Sequence, residues 1–145
     1  MLTDTSVDGG RRAHYMDLEI HRPTSSMPLA TDIYDRRSEP EFIARVLPVR
    51  MPSPDSMLAS SVGRNILVAQ MIRFQRLCSY AGYFARRTAD YLSEMARMGY
   101  SEESLWRTVH RHIHHLSWHY GLSPDRLMAL IREYFYTLPR VGGCI

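Results

Sequence analysis

The sequence predicts an α+β fold: a small antiparallel β hairpin or sheet followed by a bundle of about four α-helices. Three observations predict it. Residues 15–20 alternate polar and apolar with a period of two. From residue 59 onward the apolar period becomes that of a helix. Between the two regions Pro48, Pro52 and Pro54 forbid regular structure.

Taken in order, residues 1–12 are polar and contain glycine, which predicts a flexible N-terminus. In Tyr15-Met16-Asp17-Leu18-Glu19-Ile20 the apolar Met16, Leu18 and Ile20 alternate with Tyr15, Asp17 and Glu19, as in a strand with one apolar face. A turn with two prolines, Pro23 to Pro28, leads to a second strand from Leu29 to Asp35 that pairs back as a hairpin. A third extended run is expected from Phe42 to Val49. The β part thus occupies 13–50 and a proline-rich linker 51–58.

The helical part occupies 59–138. Leu67, Met71, Phe74 and Cys78 form one apolar stripe on its first helix. A second helix, roughly 82–98, carries Phe84, Thr88, Tyr91, Met95 and Met98, with Gly99 as a left-handed C-terminal cap. Ser101 caps a third helix, and Glu102 and Glu103 sit in its positive first turn. That helix buries Leu105, Val109, Ile113 and Leu116 and ends near Gly121. Ser123-Pro124-Asp125 starts a fourth, with Leu127, Leu130, Ile131, Tyr134 and Leu138 on its apolar face. Residues 139–145 form a tail.

A length of 145 residues suits one domain with a modest core. No apolar run approaches the roughly 20 residues that cross a bilayer, so no membrane span is expected. The N-terminal run has two acids and no apolar core, so it is no secretory signal, and an intracellular location is expected. Cys78 and Cys144 make neither a disulfide framework nor a metal motif and are expected as reduced thiols. No cofactor is expected.

Charge is more informative. The formal net charge is +3 and all 18 basic residues are arginine. Arginine binds phosphate through two parallel hydrogen bonds and stacks on bases, which suits nucleic acid. Arg73 and Arg76 lie opposite the Leu67–Cys78 stripe, accompanied by Asn65 and Gln70, and Arg64, Arg86 and Arg87 add charge nearby. One apolar and one basic face on a single helix is what core packing and backbone gripping together require. The competing reading places these arginines in surface pairs with Asp90, Glu94 and Glu19. Trp106, Trp118, Tyr80, Tyr83 and Tyr134 are candidates for stacking on bases, although aromatics at helical spacing more often belong to a core.

Histidines cluster in His110-Arg111-His112-Ile113-His114-His115 and again at His119. His110 with His114, and His115 with His119, have the i, i+4 spacing of helical metal pairs. No acid lies among them and no third ligand is evident, so a polar helix face, or one that contacts phosphate together with Arg111, is the expected reading.

The run His14-Tyr-Met-Asp-Leu-Glu-Ile-His21, followed by Asp32-Ile-Tyr-Asp-Arg36-Arg37, resembles a pattern found after the catalytic motif of retroelement-type reverse transcriptases, the non-LTR and related eukaryotic types. There a proline-containing stretch, a helix with an R-x-x-R-x-C-S signature and a helix ending in GY or GF follow. This chain has Arg73-Phe-Gln-Arg76-Leu-Cys78-Ser79 and Met98-Gly99-Tyr100 in the same order, over roughly residues 14–116.

The resemblance implies that 13–50 is the palm edge that supports a primer, and that the helices form a thumb closing on a template–primer duplex. Arg36 and Arg37 then fall where the family motif carries its basic pair. It also implies that fingers and most of the palm have no counterpart before residue 14, so a gene fragment or separately encoded piece is expected. Polymerase chemistry needs carboxylates that hold two Mg²⁺ ions. Tyr15-Met16-Asp17-Leu18 resembles the Tyr-x-Asp-Asp box but has leucine at its fourth position, so no enzymatic activity is expected. The expected partners are RNA or an RNA–DNA duplex. The alternative is a domesticated structural subunit within a larger protein or ribonucleoprotein assembly.

Overall fold

In the computed structural model the described residues are 12–16, 18–34, 52–55 and 61–137. Three short strands come first: β1 (Arg12–Tyr15), β2 (Leu18–His21) and β3 (Ala30–Ile33). Four helices follow: α1 (Ser61–Leu77), α2 (Ala81–Arg97), α3 (Glu102–His119) and α4 (Pro124–Thr137). This is the predicted α+β arrangement.

The sheet is antiparallel in the order β1-β2-β3. Its first hairpin corrects the single strand expected over 15–20. The chain reverses after Tyr15, which pairs with Leu18, and Met16 takes a left-handed φ of +54°. Cross-strand partners share a face, so Tyr15 joins Leu18 and Ile20 instead of siding with Glu19. The alternation misled because a tight turn interrupts a period-two pattern without leaving a gap in hydrophobicity. The second hairpin, β2 with β3, pairs Glu19 with Asp32 and matches the expectation. One face therefore carries Arg12, His14, Glu19, His21 and Asp32, and the other carries Leu18, Ile20 and Ile33. The run from Phe42 to Val49 lies outside the described residues, as does Asp17.

The sheet meets the bundle edge-on. Thr31 receives the Ser79 backbone N–H on its carbonyl at 2.9 Å, and its own N–H donates to Ser79 Oγ at 2.8 Å. Its hydroxyl donates to the Leu77 carbonyl at 2.7 Å. The outer edge of β3 is thus closed by the junction between α1 and α2, where edge groups would otherwise need another partner.

The helix ends follow the local chemistry. Ser101 Oγ accepts the Ser104 N–H at 3.4 Å at the start of α3. Ser123 Oγ accepts the Arg126 N–H at 3.3 Å, and Pro124 occupies the first turn of α4. Gly99, with φ +105°, lets the chain leave α2. The predicted stripes form the core: Leu67, Met71, Phe74, Cys78, Phe84, Thr88, Met95, Leu105, Val109, Ile113, Leu116, Leu127 and Ile131 are all buried. Leu138 lies outside the described residues.

Helices α1 and α3 run side by side in the same direction, tied at both ends. At one end Gly63 faces Tyr100, whose ring leaves no room for a Cβ, and the Tyr100 hydroxyl donates to the Pro52 carbonyl at 2.6 Å. At the other end the Tyr120 hydroxyl reaches the carbonyls of Cys78 at 2.9 Å and Gln75 at 3.3 Å.

Candidate nucleic-acid interface

Burial of Gly63, Leu67, Met71 and Phe74 fixes how α1 is turned. At about 100° per residue, Arg76 and Asn65 then fall on the side opposite the core. Asn65 and Arg76 are exposed there, Arg64 is exposed on the flank nearer the core, and Gln70 and Arg73 are half-buried. Arg73 takes part in the fold's own interactions. No acidic residue occurs anywhere in α1.

Arg86 is exposed on α2. Arg87, one residue on, points the other way and grips Asp32 of β3: Nε to Oδ1 and Nη2 to Oδ2, both at 3.1 Å. This parallel pair is mostly shielded from water, and the Cys78 thiol donates to the same carboxylate at 3.5 Å. Arg87 thus serves the docking of sheet on helix, a role the sequence reading did not assign to it. Arg36 and Arg37 lie outside the described residues.

The polar face of the sheet holds a second network. Arg12, His14 and His21 lie 3.6, 3.5 and 3.4 Å from the carboxylate of Glu19. The Tyr83 hydroxyl is 2.8 Å from His21 Nε2. A Tyr–His–Glu chain has the outline of an activated nucleophile. The electrostatics oppose that use: burial, then the negative charge of Asp32, push the Tyr83 hydroxyl up, away from ionisation. The network binds the sheet to α2.

On α3 the four histidines of the two i, i+4 pairs are all exposed. The His110 and His114 rings are 6.3 Å apart and perpendicular. Among the described residues no group of three or more His, Cys, Asp or Glu is placed to hold a metal ion. Trp118 departs from the core reading of the aromatics, with 85% of its surface exposed. Trp106 instead packs edge-on against Phe135 at 5.2 Å and lies under Arg132. Tyr80 and Tyr83 meet edge to face at 5.3 Å, and Tyr134 packs against the core.

No protein-family model, no curated protein and no solved structure matches the chain. Among the described residues no helix is long and apolar enough to cross a membrane.

Proposed function

We propose that the chain grips nucleic acid, an RNA or RNA–DNA duplex, along the outer face of α1, as the palm-edge and thumb part of a reverse-transcriptase-like protein without catalysis of its own. The observation that carries this is the charge of α1. Three arginines and no acid share a helix whose opposite side is fully committed to the core. Such a face meets phosphates without regard to sequence and releases counterions when it does. The order of a small sheet before four helices supports the same reading, as does the Arg73–Ser79 motif on α1 and its exit.

The test is fluorescence anisotropy with an end-labelled RNA–DNA duplex. Wild type binds at low salt, and the R64A/R76A variant binds at least about tenfold more weakly. Absence of wild-type binding at low salt overturns the proposal. In a primer-extension assay with Mg²⁺ no product forms.

A second reading, the structural subunit, is favoured by the apolar side chains that the sheet exposes. Met16 at the first hairpin tip is 80% exposed and Leu29 before β3 is 62% exposed. Exposed apolar groups at sheet ends suit contact with a protein partner.

A further inference from the structure

Trp118 raises a question the α1 face does not answer. Tryptophan is buried on average because its large ring gains from leaving water. Here the indole stands on the last turn of a well-packed helix, next to last in α3, and 85% of its surface is exposed. Its helix neighbours are informative. At about 100° per residue, Arg111 and Trp118 are aligned within about 20° and form a ridge along the outer side of α3. His110 and His114 flank the ridge on one side, and His115 and His119 flank it on the other. All six are exposed.

The charge of this surface is one-sided. From Ser104 to Pro124 the sequence contains no acidic residue. The one acid on the same side of α3, Glu103, is already taken by Arg107 at 2.6 Å. An aromatic platform amid cationic and hydrogen-bond-donating groups is complementary to a strand that offers both flat bases and phosphates.

We infer that the outer face of α3 is a binding surface for unpaired nucleic acid, in which a base stacks on the Trp118 indole while Arg111 and the flanking imidazoles donate to phosphates. Stacking of this kind requires an unpaired base, because a duplex hides the faces of its bases from a side chain. An indole accepts any base, so the surface is indifferent to sequence. Arginine beside it adds charge that also stacks. This deepens the nucleic-acid reading by giving a single strand its own site. That site is on a different helix from the duplex-gripping arginines, so the two can fail separately.

The experiment compares wild type, W118A, W118F and R111A with labelled 20-mers of single-stranded RNA, single-stranded DNA and duplex, together with Trp fluorescence. Trp118 is exposed, so W118A keeps the wild-type melting curve. Single strands quench wild-type emission, and W118A lowers single-strand affinity at least about fivefold while duplex affinity stays within about twofold. W118F retains part of the affinity, because a phenyl ring still stacks. Equal affinity for RNA and DNA strands fits indifference to the sugar, and a preference for either one assigns the natural strand; both support the surface. Unchanged single-strand affinity in W118A overturns the inference, as does an equal loss for strand and duplex. A blue shift of Trp118 emission with anionic lipid vesicles, without any response to oligonucleotides, also overturns it. If R64A/R76A abolishes duplex binding while W118A changes nothing, the α1 reading stands and the α3 surface falls.

Discussion

Arg87 of α2 holds Asp32 of β3 through two parallel hydrogen bonds of 3.1 Å, with side chains 23% and 14% exposed. The pair sits where the sheet meets the helices, beside the Cys78 thiol and next to the Thr31–Ser79 contact. It is the electrostatic fastening of a sheet too small to stand by itself.

Removing one partner leaves the other charge shielded and unpaired. R87A is therefore expected to lower stability by about 2–4 kcal/mol in urea unfolding. The R87A/D32A double variant should lose less than the sum of the two single changes, because the stranded charge is gone. Additive losses would show that the two residues act independently.

The second expectation concerns alkaline pH. Burial, then the Asp32 carboxylate, push the Cys78 thiol from 9.0 up to about 12. Burial also pushes the Tyr120 hydroxyl up from its ordinary value. Both groups hold their protons more tightly folded than unfolded. Their contribution is complete below the unfolded values and is lost as pH rises through the folded ones. For Cys78 that window runs from about pH 9 to about pH 12, where stability should fall by roughly 1 kcal/mol per pH unit, and Tyr120 adds to the decline at the alkaline end. In C78A the decline is shallower, as urea unfolding across that range would measure. Below pH 9 the Cys78 thiol of the C144S variant should react with thiol reagents only as fast as the chain opens.

A third expectation concerns the approach of α1 to Tyr100. A Cβ at Gly63 would fall 2.6 Å from the Tyr100 hydroxyl oxygen and 2.8 Å from its Cζ, too close without movement. G63A is expected to lower the melting temperature, at a cost of about 1–3 kcal/mol, despite alanine's better helix propensity. In a Y100A background the same G63A change should cost less than in wild type, as the thermal melts of the four proteins would show. A stabilised G63A would mean that Tyr100 swings aside freely.

A change in the opposite direction is expected at Thr88. It is fully buried, and its Oγ1 makes no hydrogen bond among the described residues. Valine has the same shape without the hydroxyl. T88V is therefore expected to gain about 1 kcal/mol in chemical denaturation. A loss of stability would reveal a partner for the hydroxyl.

Much of the helical architecture was legible because helices are specified locally. The stripe of Leu67, Met71, Phe74 and Cys78, the Ser101 cap and the Ser123-Pro124 start each depend on residues within a turn or two. The first hairpin was not legible as such. A reversal at Met16 depends on pairing that a period-two pattern cannot announce. For the candidate site, local pattern places Arg73 and Arg76 opposite the apolar stripe of α1, and of the two only Arg76 is exposed. Local pattern could not separate Arg86 from Arg87, because Asp32 is 55 residues from its partner in the chain. Spacing groups Trp118 with the core aromatics, because it does not tell which residues a neighbouring helix covers. Its place in an acid-free, histidine-rich run was the available signal.

The central claim is that the α1 arginines meet phosphates, and salt dependence tests it most directly. Binding of a labelled RNA–DNA duplex would be measured from about 50 to about 200 mM salt for wild type and R64A/R76A. The slope of log K against log salt should be negative for wild type and shallower by about 1.4–1.8 in the variant, as expected for two lost phosphate contacts. An identical slope in the two proteins, or wild-type binding insensitive to salt, would contradict it.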